Sequence, residues 1–384
     1  MSITYKKLGD IATYINGYAF KPKDWDSKGL PIIRIQNLTN TSEKVNYFNG
    51  EIGEKYIVKK GDILIAWSTS LGVYEWSGNN ALLNQHIFKV VFDKEEINKQ
   101  YFKFMVKSTL DRALHFLHGS TMKHITKKYF DNLLIPFPPL DVQQKIANTL
   151  ILAQDLINKR KAQIKAIDQL IQSLFLEMFG DPVINNKHWD VKKLSETGEL
   201  KRGMSKHRPR NAPELLGGPY PLIQTGDVSN SDIYIREYHQ TYSELGLKQS
   251  KMWPAGTLCI TIAANIAKTG ILTFEACFPD SVVAYIPNKN MSNLYVHFWF
   301  KFLQRIIEAK APESAQKNIN LKILNNLYIP VPPIEKQKHF KILVGEIEQQ
   351  KEIFNKSLVE MENKQNSIIQ RAFRGELYRE EYGQ

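Results

Sequence analysis

Two stretches of the chain carry apolar residues at alternating steps of three and four positions, which is the a and d spacing of a coiled coil. The first seam runs through Ile146, Leu150, Ile157, Ile164, Ile171 and Leu174. The second seam runs through Val344, Phe354, Leu358 and Ile368, with the polar residues Lys351 and Gln365 at two of its positions. The pattern predicts two long helices whose seams are buried against each other.

A globular segment lies between the two predicted helices, so the chain can turn back and the second helix can run antiparallel to the first. A helix of about 40 residues spans about 60 Å at 1.5 Å per residue. Gly180 followed by Pro182 is a typical stop signal for the first helix.

The two helical stretches belong to a long internal repeat. Residues 125–139 align without a gap with residues 319–333, and the register continues to Phe179 and Phe373. Upstream, residues 61–66 resemble 256–261, and residues 31–34 resemble 221–224. The molecule is therefore one unit used twice.

The parts before each helix have the composition of mixed α/β domains. Runs rich in Ile, Leu and Val, bounded by turn residues, predict strands at 31–38, 61–66, 82–92, 220–228, 256–263, 271–278 and 281–287. A predicted helix near the end of each half carries aromatic residues at helical spacing, led by Tyr101 and Tyr295. Such a stripe is more often core than a platform for stacking bases.

The predicted fold class is α+β, with a pseudo-twofold internal repeat. Two similar α/β globular domains, at 1–138 and 181–332, are separated by two long antiparallel coiled-coil helices, at 139–180 and 333–384.

Charge favours a partner that is rich in phosphate. The formal net charge is +12, and neutralising phosphates releases condensed counterions. The alternative is a basic protein that is merely soluble. No apolar run approaches the roughly 18 residues of a membrane helix, and the start of the chain lacks the features of a signal peptide. With only Cys259 and Cys277, a disulfide framework is not expected, and we expect a reduced cytoplasmic protein.

The sequence offers no recognisable catalytic or metal centre. Residues 198–203 have the spacing of half a phosphate loop, but Met204 stands where a lysine is needed. His115 and His118 have no evident third metal ligand. We therefore predict no catalytic residue, no metal site and no cofactor in this chain.

Candidate contacts for a nucleic acid follow from residue type, because Arg, Lys, Asn and Gln read base edges and Lys, Arg and hydroxyls contact phosphates. The strongest candidate is a basic segment, predicted to be a loop, with Lys201, Arg202, Ser205, Lys206, His207, Arg208 and Arg210. Its alternative is a solvated basic loop.

Two further groups of residues are weaker candidates. Segments preceding the helices in both copies hold Ser120, Thr121, Lys123, His124, Gln316, Lys317 and Asn318. Single polar positions within the two halves are Asn84, Gln85, His86, Gln224 and Asn265. The triplet at 84–86 has the alternative of bonding a sheet edge.

With these motifs in view, the chain resembles the specificity subunits of Type I restriction–modification systems over essentially its whole length. The resemblance rests on 17–20, 29–37, 84–86, 119–123, 225–227 and 315–319. It rests above all on Ile-Pro-x-Pro-Pro-x-x-x-Gln, which occurs at 135–143 and again at 329–337. The second half departs from the first by lacking Asn-Gln-His, where the corresponding place is expected to read Asp280-Ser-Val.

The resemblance implies a function in the recognition of double-stranded DNA. Each globular half would be a target-recognition domain that reads one half of a bipartite site, and the helices would set the spacer. Two methyltransferase (modification) subunits would dock on the helices and methylate adenine with S-adenosylmethionine. Restriction subunits would add ATP- and Mg-dependent cleavage, so those cofactors belong to partner subunits.

Two other classes of function remain as alternatives. A coiled-coil scaffold that binds only proteins would explain the helices but not the basic loop. An enzyme with an unrecognised centre would show activity as the purified chain alone.

Overall fold

A computed structural model describes residues 4–39, 41–42, 44–68, 71–117, 126–263, 266–310 and 319–378. The chain forms two compact units: unit 1 is Met1–Ala162 with Asn355–Gln384, and unit 2 is Gln163–Phe354. The unit boundaries fall inside the long helices, because each part of a helix packs on the globular part nearest to it in the fold.

Unit 1 is built on short strands that form two sheets within its described residues. One sheet has the order β2-β9-β6-β7, the other has the order β4-β3-β8-β5, and β1 pairs with β10. The strands are β1 (Tyr5–Lys7), β2 (Thr13–Asn16), β3 (Leu30–Ile33), β4 (Asn46–Phe48), β5 (Ile57–Val58), β6 (Ile63–Ala66), β7 (Gly72–Glu75), β8 (Ala81–Leu83), β9 (Ile87–Val91) and β10 (Leu134–Pro136). The helices are Leu8–Ile11, Ile35–Leu38, Lys99–Leu117 and Lys127–Asp131, with 3₁₀ turns at Pro22–Asp24 and Glu54–Tyr56.

Unit 2 repeats this topology and adds one edge strand, β14, to the first sheet. Its sheets have the orders β12-β20-β17-β18-β14 and β15-β13-β19-β16, and β11 pairs with β21. The strands are β11 (Val191–Lys193), β12 (Gly198–Arg202), β13 (Leu216–Leu222), β14 (Tyr234–Ile235), β15 (Gln240–Tyr242), β16 (Met252–Trp253), β17 (Leu258–Thr261), β18 (Thr269–Leu272), β19 (Ala276–Cys277), β20 (Val282–Pro287) and β21 (Tyr328–Pro330). The helices are Leu194–Thr197, Thr225–Asn230, Glu244–Lys248, Asn293–Lys310 and Leu321–Asn325, with a 3₁₀ turn at Pro213–Leu215.

Each predicted strand overlaps an observed one, but several differ in extent. The strand predicted at 271–278 is the end of β18 and the whole of β19, with residues 273–275 between them. The strand predicted at 31–38 ends at Ile33, because the backbone N–H of Arg34 donates to Asn37 Oδ1 and starts a helix. The strand predicted at 82–92 is two strands, β8 and β9, with a turn between them. The strand predicted at 220–228 likewise gives way to the helix Thr225–Asn230.

The central strands are buried on both faces, which explains their continuous apolar sequences. Along β6, Ile63 and Ile65 pack in the cluster that contains Tyr101, whereas Leu64 faces a second cluster with Leu83. Successive side chains of a strand point to opposite faces, so one strand serves both cores. Tyr101 and its counterpart Tyr295 are fully buried, which confirms the core interpretation of the aromatic helices.

The Ile-Pro-x-Pro-Pro-x-x-x-Gln signature has a structural reason in both copies. Gln143 Nε2 donates to Pro138 O (2.9 Å) and Gln143 Oε1 accepts from the Asn98 N–H (3.0 Å). Gln337 makes the same pair of bonds, to Pro332 O (2.8 Å) and from the Ser292 N–H (2.8 Å). Each buried glutamine thus fixes the start of the long helix to the start of the aromatic helix.

The two long helices span Leu140–Phe179 and Ile334–Phe373, and they pair antiparallel within each unit. In unit 1, Ile146 and Leu150 share a core with Phe373. In unit 2, the rings of Phe179 and Phe340 have centroids 5.3 Å apart. Residues early in one helix therefore meet residues late in the other. No helix among the described residues is long and apolar enough to span a membrane.

The structure places every predicted seam residue at a buried or half-buried position. The buried ones are Ile146, Leu150, Ile157, Ile171 and Val344, and the half-buried ones are Ile164, Leu174, Phe354, Leu358 and Ile368. The sequence interpretation missed Phe175, one residue beyond Leu174, which stacks on Tyr295 and Phe298 of the globular part. This end of the first helix therefore faces the domain as well as its partner helix.

The polar seam position Lys351 is 7% exposed and lies between two carboxylates. Its Nζ donates to Asp168 Oδ1 of the first long helix (2.6 Å) and to Asp232 Oδ2 of the globular part (2.7 Å). Burial alone would lower the pKa of Lys351, but the hydrogen bonds to the two aspartates outweigh it and raise that pKa. The lysine stays charged and joins three elements of unit 2.

We expect Lys351→Ala to lower the free energy of unfolding by about 1–3 kcal/mol, because it removes packed side-chain volume and two charge-assisted hydrogen bonds. The matched control is Lys341→Ala, an exposed position of the same helix within unit 2, which should cost less than about 0.5 kcal/mol. Urea denaturation of the full chain measures both variants.

The difference between Lys351→Ala and the wild type should shrink in acid. Burial raises the pKa of Asp232, but the bond from Lys351 outweighs it and holds that pKa below its ordinary value. The carboxylate therefore contributes stability above its unfolded pKa, and this contribution is lost as pH falls through the folded pKa. Equal losses for Lys351→Ala and Lys341→Ala at neutral pH would contradict this role.

Candidate nucleic-acid interface

Both units bring the same backbone segments together at the end of the first strand of a sheet. In unit 1 the Gly17 N–H donates to Ile87 O (3.1 Å), and the Ile87 N–H donates to Asn84 O (3.1 Å). In unit 2 the Gly203 N–H donates to Val282 O (2.9 Å), and the Val282 N–H donates to Pro279 O (3.0 Å). The two copies therefore build one arrangement with the same hydrogen bonds.

The glycines are required by close approach of backbone to backbone. A Cβ atom on Gly17 would lie 2.0 Å from Asn84 O, and one on Gly203 would lie 2.3 Å from Pro279 O. No side chain fits at these distances. This contact gives a physical reason for the glycine that opens the 17–20 motif.

A short helix follows the neighbouring strand in each unit. The Arg34 N–H donates to Asn37 Oδ1 (3.0 Å), and the Gln224 N–H donates to Asp227 Oδ2 (2.7 Å). The preceding strands β3 and β13 run parallel to β8 and β19, so the residues after them emerge at the same edge of the sheet. Arg34 and Gln224 are therefore equivalent positions of the repeat.

Strand register corrects the expected correspondence of the Asn-Gln-His triplet. Ile32 pairs with Leu82, and its equivalent Leu222 pairs with Cys277. Counting from these pairs, residues 84–86 correspond to Pro279-Asp280-Ser281 rather than to Asp280-Ser-Val. The one-residue error arose because the register is set by strand pairing, which the local sequence does not display.

In unit 1 the polar triplet lies beside a cleft of about 410 Å³, which Asn84, Gln85 and His86 line together with Arg34 and Gln36. Asn84 and Gln85 are half-buried and His86 is exposed. The Asn84 backbone N–H donates to Ile33 O (3.3 Å). The hydrogen bond at this sheet edge is therefore made by the backbone of Asn84 rather than by its side chain. Sequence reasoning missed Arg34, although the alignment of 31–34 with 221–224 already set it opposite Gln224.

In unit 2 the basic segment gathers around Asp280. Arg210 forms an ion pair with the Asp280 carboxylate, and Arg202 Nε donates to the Asp280 carbonyl oxygen. Arg208 Nη2 lies 3.6 Å from Asp280 Oδ2, and Lys201 pairs with Glu199. Lys201 and Arg202 belong to β12 rather than to a loop, so the basic segment begins on a strand.

The remainder of the basic segment is held by Gln249. Its Oε1 accepts from the backbone N–H groups of Lys206 (2.6 Å) and His207 (3.1 Å). These bonds fix the backbone from which the side chains of Lys206 and His207 extend. Ser205 is only 5% exposed, so its hydroxyl is inside the fold and does not lie on this surface. The basic segment therefore exposes several cations, whereas the Ser205 hydroxyl is buried.

Gln224 is positioned by a polar neighbour on β15. Its Nε2 donates to Gln240 Oε1 (3.1 Å), and Asp227 of the same short helix bonds His239 Nδ1 (2.7 Å). The side-chain oxygen of Gln224 therefore stays available as an acceptor. It lies at the position of unit 2 that is equivalent to Arg34 of unit 1.

Other predicted contacts lie outside the described residues. These are Ser120, Thr121, Lys123, His124, Gln316, Lys317, Asn318 and Asn265. Within the part of the chain that the structure describes, no group of three or more His, Cys, Asp or Glu side chains is arranged to hold a metal ion.

We expect Gly17→Ala to destabilise unit 1 by about 2 kcal/mol or more, because the new methyl group would overlap the Asn84 carbonyl and force the two segments apart. Gly53→Ala is the control, since a Cβ there meets nothing within 4 Å and its φ of −62° suits alanine. Chemical denaturation of the two variants measures the difference. Equal stability would show that the contact is easily relaxed.

Comparison with known proteins agrees with the repeat. The family model described as the Type I restriction modification DNA specificity domain matches residues 3–166 and again 186–369. The EcoBI specificity subunit of Escherichia coli is 26% identical over 96% of this chain and 85% of its own length. The putative MjaX specificity subunit of Methanocaldococcus jannaschii is 22% identical over 97% of this chain and 93% of its own length.

Solved structures show the same fold. A chain from a study of complex assembly and conformational transition of the type I R-M system has a TM-score of 0.63 at 17% identity, with 98% of each chain covered. The S subunit of a Type I restriction–modification system from M. genitalium has a TM-score of 0.52 at 16% identity, with 96% of each chain covered. Since the family model matches most of the chain in two copies, this protein belongs to the Type I restriction–modification DNA specificity family.

Proposed function

We propose that unit 1 and unit 2 each read one half of a bipartite DNA site, within the target recognition that defines this family. The observation that carries the proposal is the repeated arrangement of Gly17 and Gly203, with identical backbone bonds and different side chains around it. A constant frame with variable polar groups is what two readers of unlike sequences require.

The two units differ in the chemistry that they offer. Unit 1 presents the amides of Asn84 and Gln85, which carry the paired donor and acceptor that match adenine. Unit 2 presents Gln224 together with the cations of the basic segment. Because Pro279 and Asp280 replace the amides of the first copy, the two half-sites should differ.

The basic segment is suited to phosphate contact. Arg208 and Arg210 are held near one carboxylate, that of Asp280, so their guanidinium groups are ordered before DNA arrives. Each phosphate neutralised by such a side chain releases counterions and makes binding dependent on salt. The net charge of +12 acts in the same direction.

The long helices offer surfaces for partner subunits. Leu152 and Leu156, one turn apart on the first helix, are 65% and 55% exposed. Ile342 and Ile353 of the second helix are also exposed, but they lie about 16 Å apart at 1.5 Å per residue and form no common patch. Leu152 and Leu156 are neighbours, as apolar residues of interaction surfaces are, and we propose that modification subunits dock beside them.

In this proposal the chain selects the site and performs no chemistry itself. S-adenosylmethionine would bind the modification subunits, and ATP and Mg would bind restriction subunits. The helix pair would fix the number of base pairs between the two half-sites.

The test is a map of methylated adenine in cells that contain the chain and a modification subunit from the same genome. We expect a split motif with two unlike halves that is absent when the chain is omitted. Replacing residues 1–138 with those of a relative should change one half-site and leave the other unchanged.

Two results would contradict the proposal. Absence of new methylation, with the subunits folded and bound to each other, would favour a scaffold that binds only proteins. A change in both half-sites after replacing residues 1–138 would show that the two units do not read independently.

A further inference from the structure

Arg34 occupies an unusual position for a surface arginine. Its guanidinium carbon lies 4.4 Å from the centroid of the Trp25 ring, so the planar group is restrained by a cation–π contact. Among the described residues, no carboxylate pairs with this guanidinium. The side chain is half-buried, and its fork of N–H donors therefore stays available for a ligand.

The described residues around Arg34 are polar but not acidic. Gln36, Thr39 and Thr41 line the same cleft as Asn84, Gln85 and His86, and no Asp or Glu is found among the described residues that line it. Amides and hydroxyls next to one guanidinium form a mixed set of donors and acceptors. Such a set matches the donors and acceptors on the edges of base pairs. A row of phosphates is instead bound by several cations.

The repeat gives an independent reason to assign this position to reading. Arg34 is equivalent to Gln224, which holds its amide against Gln240 in unit 2. Arginine and glutamine are the side chains that bind, with two hydrogen bonds each, guanine and adenine respectively. The equivalent position thus carries, in both units, a side chain that can make two hydrogen bonds to one base. Arginine in unit 1 prefers guanine, and glutamine in unit 2 prefers adenine.

We propose that Arg34 reads the O6 and N7 edge of a guanine in the first half-site, with Trp25 as the platform that fixes its plane. The inference rests on the proposed function, since it requires unit 1 to read one half-site. The contact with Trp25 restrains the guanidinium group, which reduces the entropy lost on binding a planar base edge. Lysine cannot supply this geometry.

The test measures DNA binding by the complex of this chain with its modification subunits, on a duplex that carries the mapped site. Each guanine of the first half-site is replaced in turn by 7-deazaguanine, which lacks the N7 acceptor. We expect one replacement to weaken binding by the wild type about tenfold, the effect of one hydrogen bond to a charged group. The same replacement should have almost no effect on Arg34→Ala.

Two further variants separate reading from folding. Arg112→Ala is the matched control, because Arg112 also lies over an aromatic ring, that of Phe373, at 5.0 Å, but does not line the cleft. It should keep the full response to 7-deazaguanine. Arg34→Met keeps the apolar stem over Trp25 and should lose the response as Arg34→Ala does, so a folding defect in the alanine variant leaves the inference testable.

Other results would overturn the inference. A first half-site without guanine, or the same response to every 7-deazaguanine in the wild type and Arg34→Met, would exclude base reading by Arg34. An equal loss on all sequences, with a smaller dependence on salt, would assign Arg34 to a phosphate. In each of these cases site-specific binding by the wild type persists, whereas failure of the proposed function would leave the wild type with no preferred site at all.

Discussion

The antiparallel pairing of the two long helices is the constraint on which both units depend. A seam of this kind tolerates polar residues only where a partner satisfies them, and both polar positions of the second seam have one. Lys351 lies between Asp168 and Asp232, and Gln365 Nε2 donates to Gln154 Oε1 (3.1 Å). Since a shift of the helices by one turn would leave the buried lysine unpaired, these contacts favour a single register. Lys351 also joins the helix pair to the globular part of unit 2, through Asp232.

Repetition explains how the two units share one backbone arrangement while their side chains differ. The bonds that shape the surface involve backbone atoms and two glycines, so they do not depend on the side chains that vary around them. Arg34 and Gln224 stand at equivalent positions, as do Gln85 and Asp280. In unit 2, Asp280 orders the arginines of the basic segment, whereas in unit 1 Gln85 lines an open cleft. At these positions the two copies keep the same backbone arrangement and differ in the side chains that it carries.

Much of the architecture could be predicted from the sequence, because its signals are local. The proline signatures place the start of both long helices to within a residue, and Gly180 does the same for the end of the first helix. The second helix was predicted to run to residue 384 but ends at Phe373. Strand ends were less well predicted. The strand that ends at Ile33 is followed by residues that look like a continuing strand, but the Asn37 side chain caps a helix there by accepting from the Arg34 N–H. The correspondence of Asn84 with Pro279 and the packing of Phe175 depend on pairing between distant segments. The cleft and the role of Asp280 depend on the same pairing, so they appear only in the folded chain.

The measurement that tests the account most directly is the gap between the two half-sites after a matched deletion in both helices. Residues 157–163 and 356–362 lie opposite each other, as the ion pair between Lys161 and Glu362 shows, and their removal leaves the contacts of Gln365 and Lys351 in register. Seven residues of helix correspond to about 10 Å, or about 3 base pairs at about 3.4 Å each. We predict a methylated motif with the same half-sites and a gap shortened by about 3 base pairs. An unchanged gap would contradict the claim that the helix pair sets the spacing.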